Sequence, residues 1–202
     1  MPPDSVNERT LGGVTTVHTQ ADTQARQSRY WRWLRDALLL AAVLFAVHLY
    51  QTRDAVVGRA PLLQGVDLDG TPRALADFHG RPVLVYFWAT WCPVCRAEQG
   101  TIRSIAADYP VLSVALEDTA PAALRAYMEE HELDFAVLRD TDGELAQRYG
   151  VRGVPAFFVI DGAGMIRSTA AGYTTGPGLR LRLWWAGRAA VRGARVVRAA
   201  AP

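Results

Sequence analysis

Two cysteines stand three positions apart in Trp91-Cys92-Pro93-Val94-Cys95, and the chain holds no others. Such a pair can exchange disulfides, bind a soft ion such as Cu(I), supply half of a zinc site or form an inert bridge. A zinc cluster lacks donors: no third cysteine exists, and His18, His48, His79 and His131 show no ligand spacing. Placement favours redox chemistry over the rest. Residues 83–88 (VLVYFW) form a continuous apolar run of strand length, and Pro93 suits the first turn of a helix, where its missing N–H costs nothing. Cys92 therefore stands where a buried strand hands over to a helix. Unpaired N–H groups and the helix dipole favour negative charge there, which predicts that Cys92 is held as a thiolate, the form that attacks disulfides. Cys95, one helical turn on, falls within bonding reach of it.

The elements that must position this pair alternate strand and helix. Apolar patterning predicts strands at 62–66 and 73–75 around the turn Asp67-Leu68-Asp69-Gly70, and buried strands at 83–88 and 111–116. Helices are predicted at 93–108, 121–131 and 143–149, the last stopped by Gly150. A further strand falls at 135–138, and strands at 156–160 and 165–169 form a hairpin across Asp161-Gly162-Ala163-Gly164. This order describes an α/β sheet, mostly parallel and closed by an antiparallel hairpin.

At 202 residues and 50% hydrophobic, the chain is neither wholly disordered nor a disulfide-stapled mini-protein. All 22 of its basic residues are arginine, and they are segregated. Residues 60–175 hold nine Arg against fifteen Asp and Glu, a balance of −6, whereas 176–202 hold six Arg and no acid. An acidic body is not that of a nucleic-acid binder, so no nucleic-acid partner is expected.

No charge occurs from Ala37 through Thr52. Those sixteen residues span about 24 Å as a helix, short of a ~30 Å hydrocarbon core, but Tyr30, Trp31 and Trp33 suit an interfacial belt and Arg32 and Arg35 can snorkel. A membrane anchor over 31–52 is the expectation. Arg26, Arg29, Arg32 and Arg35 precede the uncharged run and only Arg53 and Arg59 follow closely, so the N-terminus stays cytoplasmic and the rest faces outward. In a bacterium this is a single-pass inner-membrane protein with its main domain in the oxidising periplasm. Residues 1–30 read as a disordered cytoplasmic leader, 53–61 as a linker, 62–187 as the folded domain and 188–202 as a loose basic tail. Leu179, Leu183 and Trp184 share a helical face, read as a terminal helix packed on the sheet, with a lipid-touching amphipathic segment as the alternative.

The segment VLVYFWATWCPVCRAE resembles the active-site strand, loop and helix of thioredoxin-fold proteins, and YGVRGVPAFFVIDGAG is similar to the family's cis-proline segment. With the extra helix and strand at about 120–138, the chain resembles the membrane-anchored TlpA/DsbE/ResA branch. WCPVCRAE and the run GLRLRLWW look closest to the suppressor-of-copper-sensitivity D proteins. The resemblance implies a thioredoxin-like fold with an N-terminal β-hairpin and a central α-β insertion, preceded by one transmembrane helix. It implies Cys92 as exposed nucleophile, Cys95 as resolving thiol, and a cis Val154–Pro155 peptide presenting Val154 to an extended substrate, where the residues alone allow equally a trans-proline at an edge strand. Trp91 and Pro93 complete the substrate-facing rim, while Trp88 reads either as platform or as core. Glu98 stands where this branch has an acid beside the active site, and Tyr86 where ordinary thioredoxins have a buried aspartate; burial would raise the pKa of Glu98 and let it relay a proton.

The expected activity is thus that of a membrane-tethered protein disulfide reductase, with no cofactor and no bound metal. Its implied partners are a secreted protein carrying a disulfide or dithiol, such as apocytochrome c or a copper-handling protein, and a membrane thiol electron donor. A thiol oxidase is the alternative direction, and a Cu(I)-binding dithiol protein the non-enzymatic one.

Overall fold

The computed structural model describes residues 31–43, 45–46 and 56–199, with the side chains of the last helix described as far as Arg188. The chain divides into two units at residues 47 and 48. In the first, residues 31–43 and 45–46 are helical (α1). The expected anchor at 31–52 lies partly outside the described residues, and among those described no helix is long and apolar enough to cross a membrane.

The second unit is organised by its most apolar strand. In chain order it holds β1 (Gly58–Arg59), β2 (Gln64–Val66), β3 (Pro72–Ala74), a 3₁₀ turn (Leu75–Phe78), β4 (Val83–Trp88), α2 (Pro93–Ala106), β5 (Val111–Ala115) and α3 (Pro121–Glu130). Then come β6 (Ala136–Arg139), α4 (Glu144–Arg148), β7 (Ala156–Ile160), β8 (Met165–Ala171) and α5 (Gly176–Ala199). All six residues of β4 are buried, as a run without polar alternation requires. Its side chains alternate between two cores. Leu84, Tyr86 and Trp88 pack with residues of α2, α3 and α5, and Val83, Val85 and Phe87 pack with Leu63, Ala146 and Tyr149.

The main sheet has the order β1-β8-β7-β4-β5-β6, and β2 and β3 form a separate two-stranded hairpin. The expectation of a mostly parallel sheet needs correction. β4, β5 and β6 are parallel, but β7 is antiparallel to β4, β8 to β7 and β1 to β8. The connection from β6, residues 140–155, holds only the short helix α4 and does not carry the chain back along the sheet before β7 begins. β7 starts at the end where β6 stopped and runs back. That is why the Val154–Pro155 segment arrives beside Cys92.

Two further expectations shift. Gly58–Arg59, assigned to a linker, pair with Ile166 and Met165 as an edge strand. The last helix continues to Ala199 instead of loosening near residue 187, consistent with its alanines and arginines and with the absence of proline between residues 178 and 199. Its buried side chains are Leu179, Leu183 and Ala186, and Trp184 lies on the exposed side.

Both hairpins are built the same way. In each, a buried aspartate accepts two turn amides and an arginine six residues on. Asp67 takes the N–H groups of Asp69 and Thr71 and the Nε of Arg73 at 2.8 Å; Asp161 takes those of Ala163 and Met165 and the Nε of Arg167 at 2.6 Å. These bonds hold the Asp67 carboxyl below its usual range although burial alone would raise it.

The β7–β8 turn docks closely on the segment before β4. Gly80 N–H donates to the Gly162 carbonyl at 2.9 Å, and a Cβ at Gly162 would stand 2.5 Å from the Gly80 carbonyl carbon and 2.7 Å from the Arg81 nitrogen. Backbone cannot swing aside as a side-chain tip can. Gly162→Ala should cost roughly 1–3 kcal/mol, read as a lower denaturant midpoint at unchanged slope, whereas Gly100→Ala, whose Cβ meets nothing, should not.

Candidate redox site

β4 ends at Trp88, and four residues later Cys92 caps the N-terminus of α2. Pro93 occupies the first turn, where no N–H is needed. The Cys92 sulfur accepts the N–H of Cys95 at 3.1 Å and is joined to the Cys95 sulfur in a disulfide, the Cα atoms 5.2 Å apart. It also lies 3.6 Å from the carbonyl oxygen of Val154, whose peptide bond to Pro155 is cis. One sulfur thus meets a helix-end amide, a second sulfur and the carbonyl that precedes the cis-proline. The helix-end amide is a donor that favours negative charge on that sulfur, and the Val154 carbonyl is an acceptor that an extended segment could use.

Accessibility differs from what was expected. Cys92 retains 3% of its surface and Cys95 none, so the sulfur expected to be the exposed nucleophile is recessed. Trp91, at 63% exposure, with Pro93 and Val94 forms the open rim, Val154 is half-buried and Pro155 buried. Trp88 belongs to the core: its ring is parallel to that of Tyr86, which in turn stacks on Phe157 at 5.0 Å.

Glu98 occupies the buried face of α2 one turn beyond Cys95, and no part of it reaches solvent. Desolvation lifts its pKa to about 7, partly offset by the N–H of Thr174 donating to its Oε1. Its Oε2 has no partner, nor do the hydroxyl of Tyr86 and the indole N–H of Trp88, both buried. Burial and the charge of Glu98 together push the Tyr86 hydroxyl pKa up, so that group stays protonated and able to donate. A carboxyl with a free lone pair, titrating near neutrality on the resolving cysteine's own helix face, can accept and return a proton.

Three groups around the site were not visible as such in the sequence. The β8–α5 loop reaches the site twice: Gly172 N–H donates to the Pro155 carbonyl at 2.9 Å, and Thr174 holds Glu98. Glu117, just past β5, accepts the hydroxyls of Thr90 at 2.5 Å and Thr119 at 3.1 Å, while Arg96 donates to the Thr90 carbonyl at 3.0 Å. These bonds fasten the loop before Cys92. The available signal was that Glu117 follows a strand parallel to β4, at the carboxyl edge where sites on such sheets gather.

The AhpC/TSA family model matches residues 56–169. A Thiol:disulfide interchange protein DsbE homolog of Paracoccus denitrificans is 39% identical over 122 residues, 58% of this chain and 68% of that protein. The Thiol:disulfide interchange protein DsbE of Pseudomonas fluorescens is 35% identical over 70% of this chain and 85% of its own length. Among solved structures, a thiol:disulfide interchange protein of the thioredoxin family from Chlorobium tepidum superposes with a TM-score of 0.56 at 27% identity, covering 66% of this chain and 99% of that one. The mixed α/β architecture is therefore thioredoxin-like.

The buried carboxyl has a consequence for stability. Its folded pKa of about 7 lies above the ~4.3 of an unfolded chain, so between those values the native state holds the extra proton. Unfolding free energy should fall as pH rises through that window, by roughly 4 kcal/mol from this residue, and level off above it. Glu98→Gln keeps an acceptor for Thr174 and should flatten that slope, as checked by urea denaturation at pH 5 and pH 8.

Proposed function

The chain belongs to the AhpC/TSA family as a TlpA/DsbE/ResA-like thiol–disulfide oxidoreductase, and on that premise we propose that it is a protein disulfide reductase tethered to the outer face of a bacterial inner membrane. The observation that carries the reading is the Cys92 sulfur at the head of α2, 3.1 Å from the Cys95 amide and 3.6 Å from the Val154 carbonyl. In the dithiol form the Cys92 thiolate attacks one sulfur of a client disulfide. A mixed disulfide forms and the client's other sulfur leaves as thiolate. Glu98 takes the proton of Cys95, whose thiolate then attacks Cys92 and releases the second client sulfur. Two electrons pass to the client, and the Cys92–Cys95 bridge remains for a membrane thiol donor to reduce.

The tether is supported by the uncharged stretch 37–52 with four arginines before it, and by the exposure of Leu38, Leu39, Leu40, Val43 and Phe45 on α1. Such a helix surface is stable where lipid covers it. Orientation by the arginines leaves residues 1–30 in the cytoplasm and the redox domain in the periplasm. The client is a secreted protein disulfide, gripped as an added strand along Val154 and against Trp91 and Pro93. Tethering confines the domain near a membrane-embedded donor and raises its effective concentration there.

In an insulin-reduction assay with a dithiol donor, Cys92→Ser should abolish turnover, and Cys95→Ser should trap the mixed disulfide; a Cys92→Ser protein that still turns over refutes the mechanism. The Cys92–Cys95 couple, equilibrated in glutathione buffers, should lie near the ~−270 mV of thioredoxin, and a value near −120 mV would make the protein an oxidase. Exchange by the native chain should accelerate as pH rises through about 7, and Glu98→Gln should be slower and lack that step.

A further inference from the structure

The last helix has two apolar faces, and the fold uses one. Leu179, Leu183 and Ala186 of α5 are buried in the core beside α2 and the sheet. Leu181, Trp184 and Trp185 point away from it, at 57%, 42% and 58% exposure. The two indoles meet edge to face at 5.7 Å, and the guanidinium of Arg188 sits 3.4 Å over the Trp184 ring. A soluble helix seldom spends two tryptophans and a leucine on open solvent in one patch.

Charge supplies the complement. From 176 to the end there are six arginines and no acid, against −6 for 60–175. Arg180 is committed to the body, bonded to Asp108 and to the Ser104 carbonyl and hydroxyl. Arg182 and Arg188 flank the tryptophans, and the sequence continues with Arg192 and Arg195 at the spacing 4-3-4-3 from Leu181 through Trp185 and Arg188. Tryptophan and leucine beside arginines, on a helix without acids, is the composition that settles at an anionic lipid–water boundary: rings enter the headgroup layer and guanidinium groups meet the phosphates. We infer that α5 lays its Leu181–Trp184–Trp185–Arg188 face on an anionic phospholipid surface. The acidic body is repelled by the same surface, so the two signs together orient the domain, basic helix down and body away.

The test uses the full chain with vesicles of phosphatidylglycerol and phosphatidylcholine whose acyl chains carry bromine near the headgroups, which quench only tryptophans that enter the lipid. The native chain is compared with Trp184→Phe/Trp185→Phe. Quenching of the other tryptophans, anchor-borne or not, is common to both chains and cancels, so failure of the tether reading and failure of this one are separable. In anionic vesicles at 0.15 M salt the difference signal should be present. It should drop at least tenfold in phosphatidylcholine and in a chain carrying Arg182→Gln, Arg188→Gln, Arg192→Gln, Arg195→Gln and Arg198→Gln, with insulin reduction in solution unchanged. A native chain quenched no more than the double variant overturns the inference and leaves the face to a protein or nucleic-acid partner. A signal indifferent to lipid charge overturns it as well.

Discussion

One sulfur atom at the head of one helix is the constraint around which this structure is arranged. For the proposed exchange, the sulfur of Cys92 would need a donor that favours its charge, a second sulfur to release it, and a surface that brings a client in line. The first turn of α2 supplies the donor and the second sulfur, because a cysteine one turn on offers both its N–H and its side chain. The surface comes from elsewhere, through the reversal of β7 against β4. Position is therefore set by strand β4, whose burial on both faces leaves the strand end no freedom to shift.

Beneath the sulfurs the protein tolerates a costly arrangement. A carboxyl, a phenol and an indole are all buried with hydrogen-bonding capacity unspent, in a core that is otherwise aromatic and aliphatic. The cost of such groups is what lifts Glu98 toward neutrality, so the destabilisation and the proton-handling capacity have one origin. The β8–α5 loop shares in this. By binding Pro155 on one side and Glu98 on the other, it ties the cis-proline segment to the buried acid through a few backbone groups.

Charge is organised on a larger scale than the site. Segregating arginine into the ends and acid into the body does little for folding, since most of these side chains are exposed and screened. It matters for orientation. On the proposed reading, a domain working on clients from a membrane surface would gain from holding its redox rim at a defined attitude, and a basic, tryptophan-bearing terminal helix on an acidic body would give it one.

Residue spacing alone determined much of this. The pair at 92 and 95, the strand–helix junction that carries it, β4 and β7 to the residue and the α/β order all follow from local physics: apolar period, proline at a first turn, a cysteine one helical turn from another. Resemblance added the cis bond at Val154–Pro155 and singled out Glu98, neither of which periodicity encodes. Tertiary structure decided the rest. Strand direction is invisible to a period of two, so the reversal of β7 against β4 shows only in the folded sheet. The recess of Cys92, the core position of Trp88, the hold of Thr174 on Glu98 and the bond from Thr90 to Glu117 join residues 27 to 76 positions apart or depend on what covers them. Local sequence sets which backbone a residue prefers; which distant residue desolvates or bonds it is decided only when the chain closes on itself.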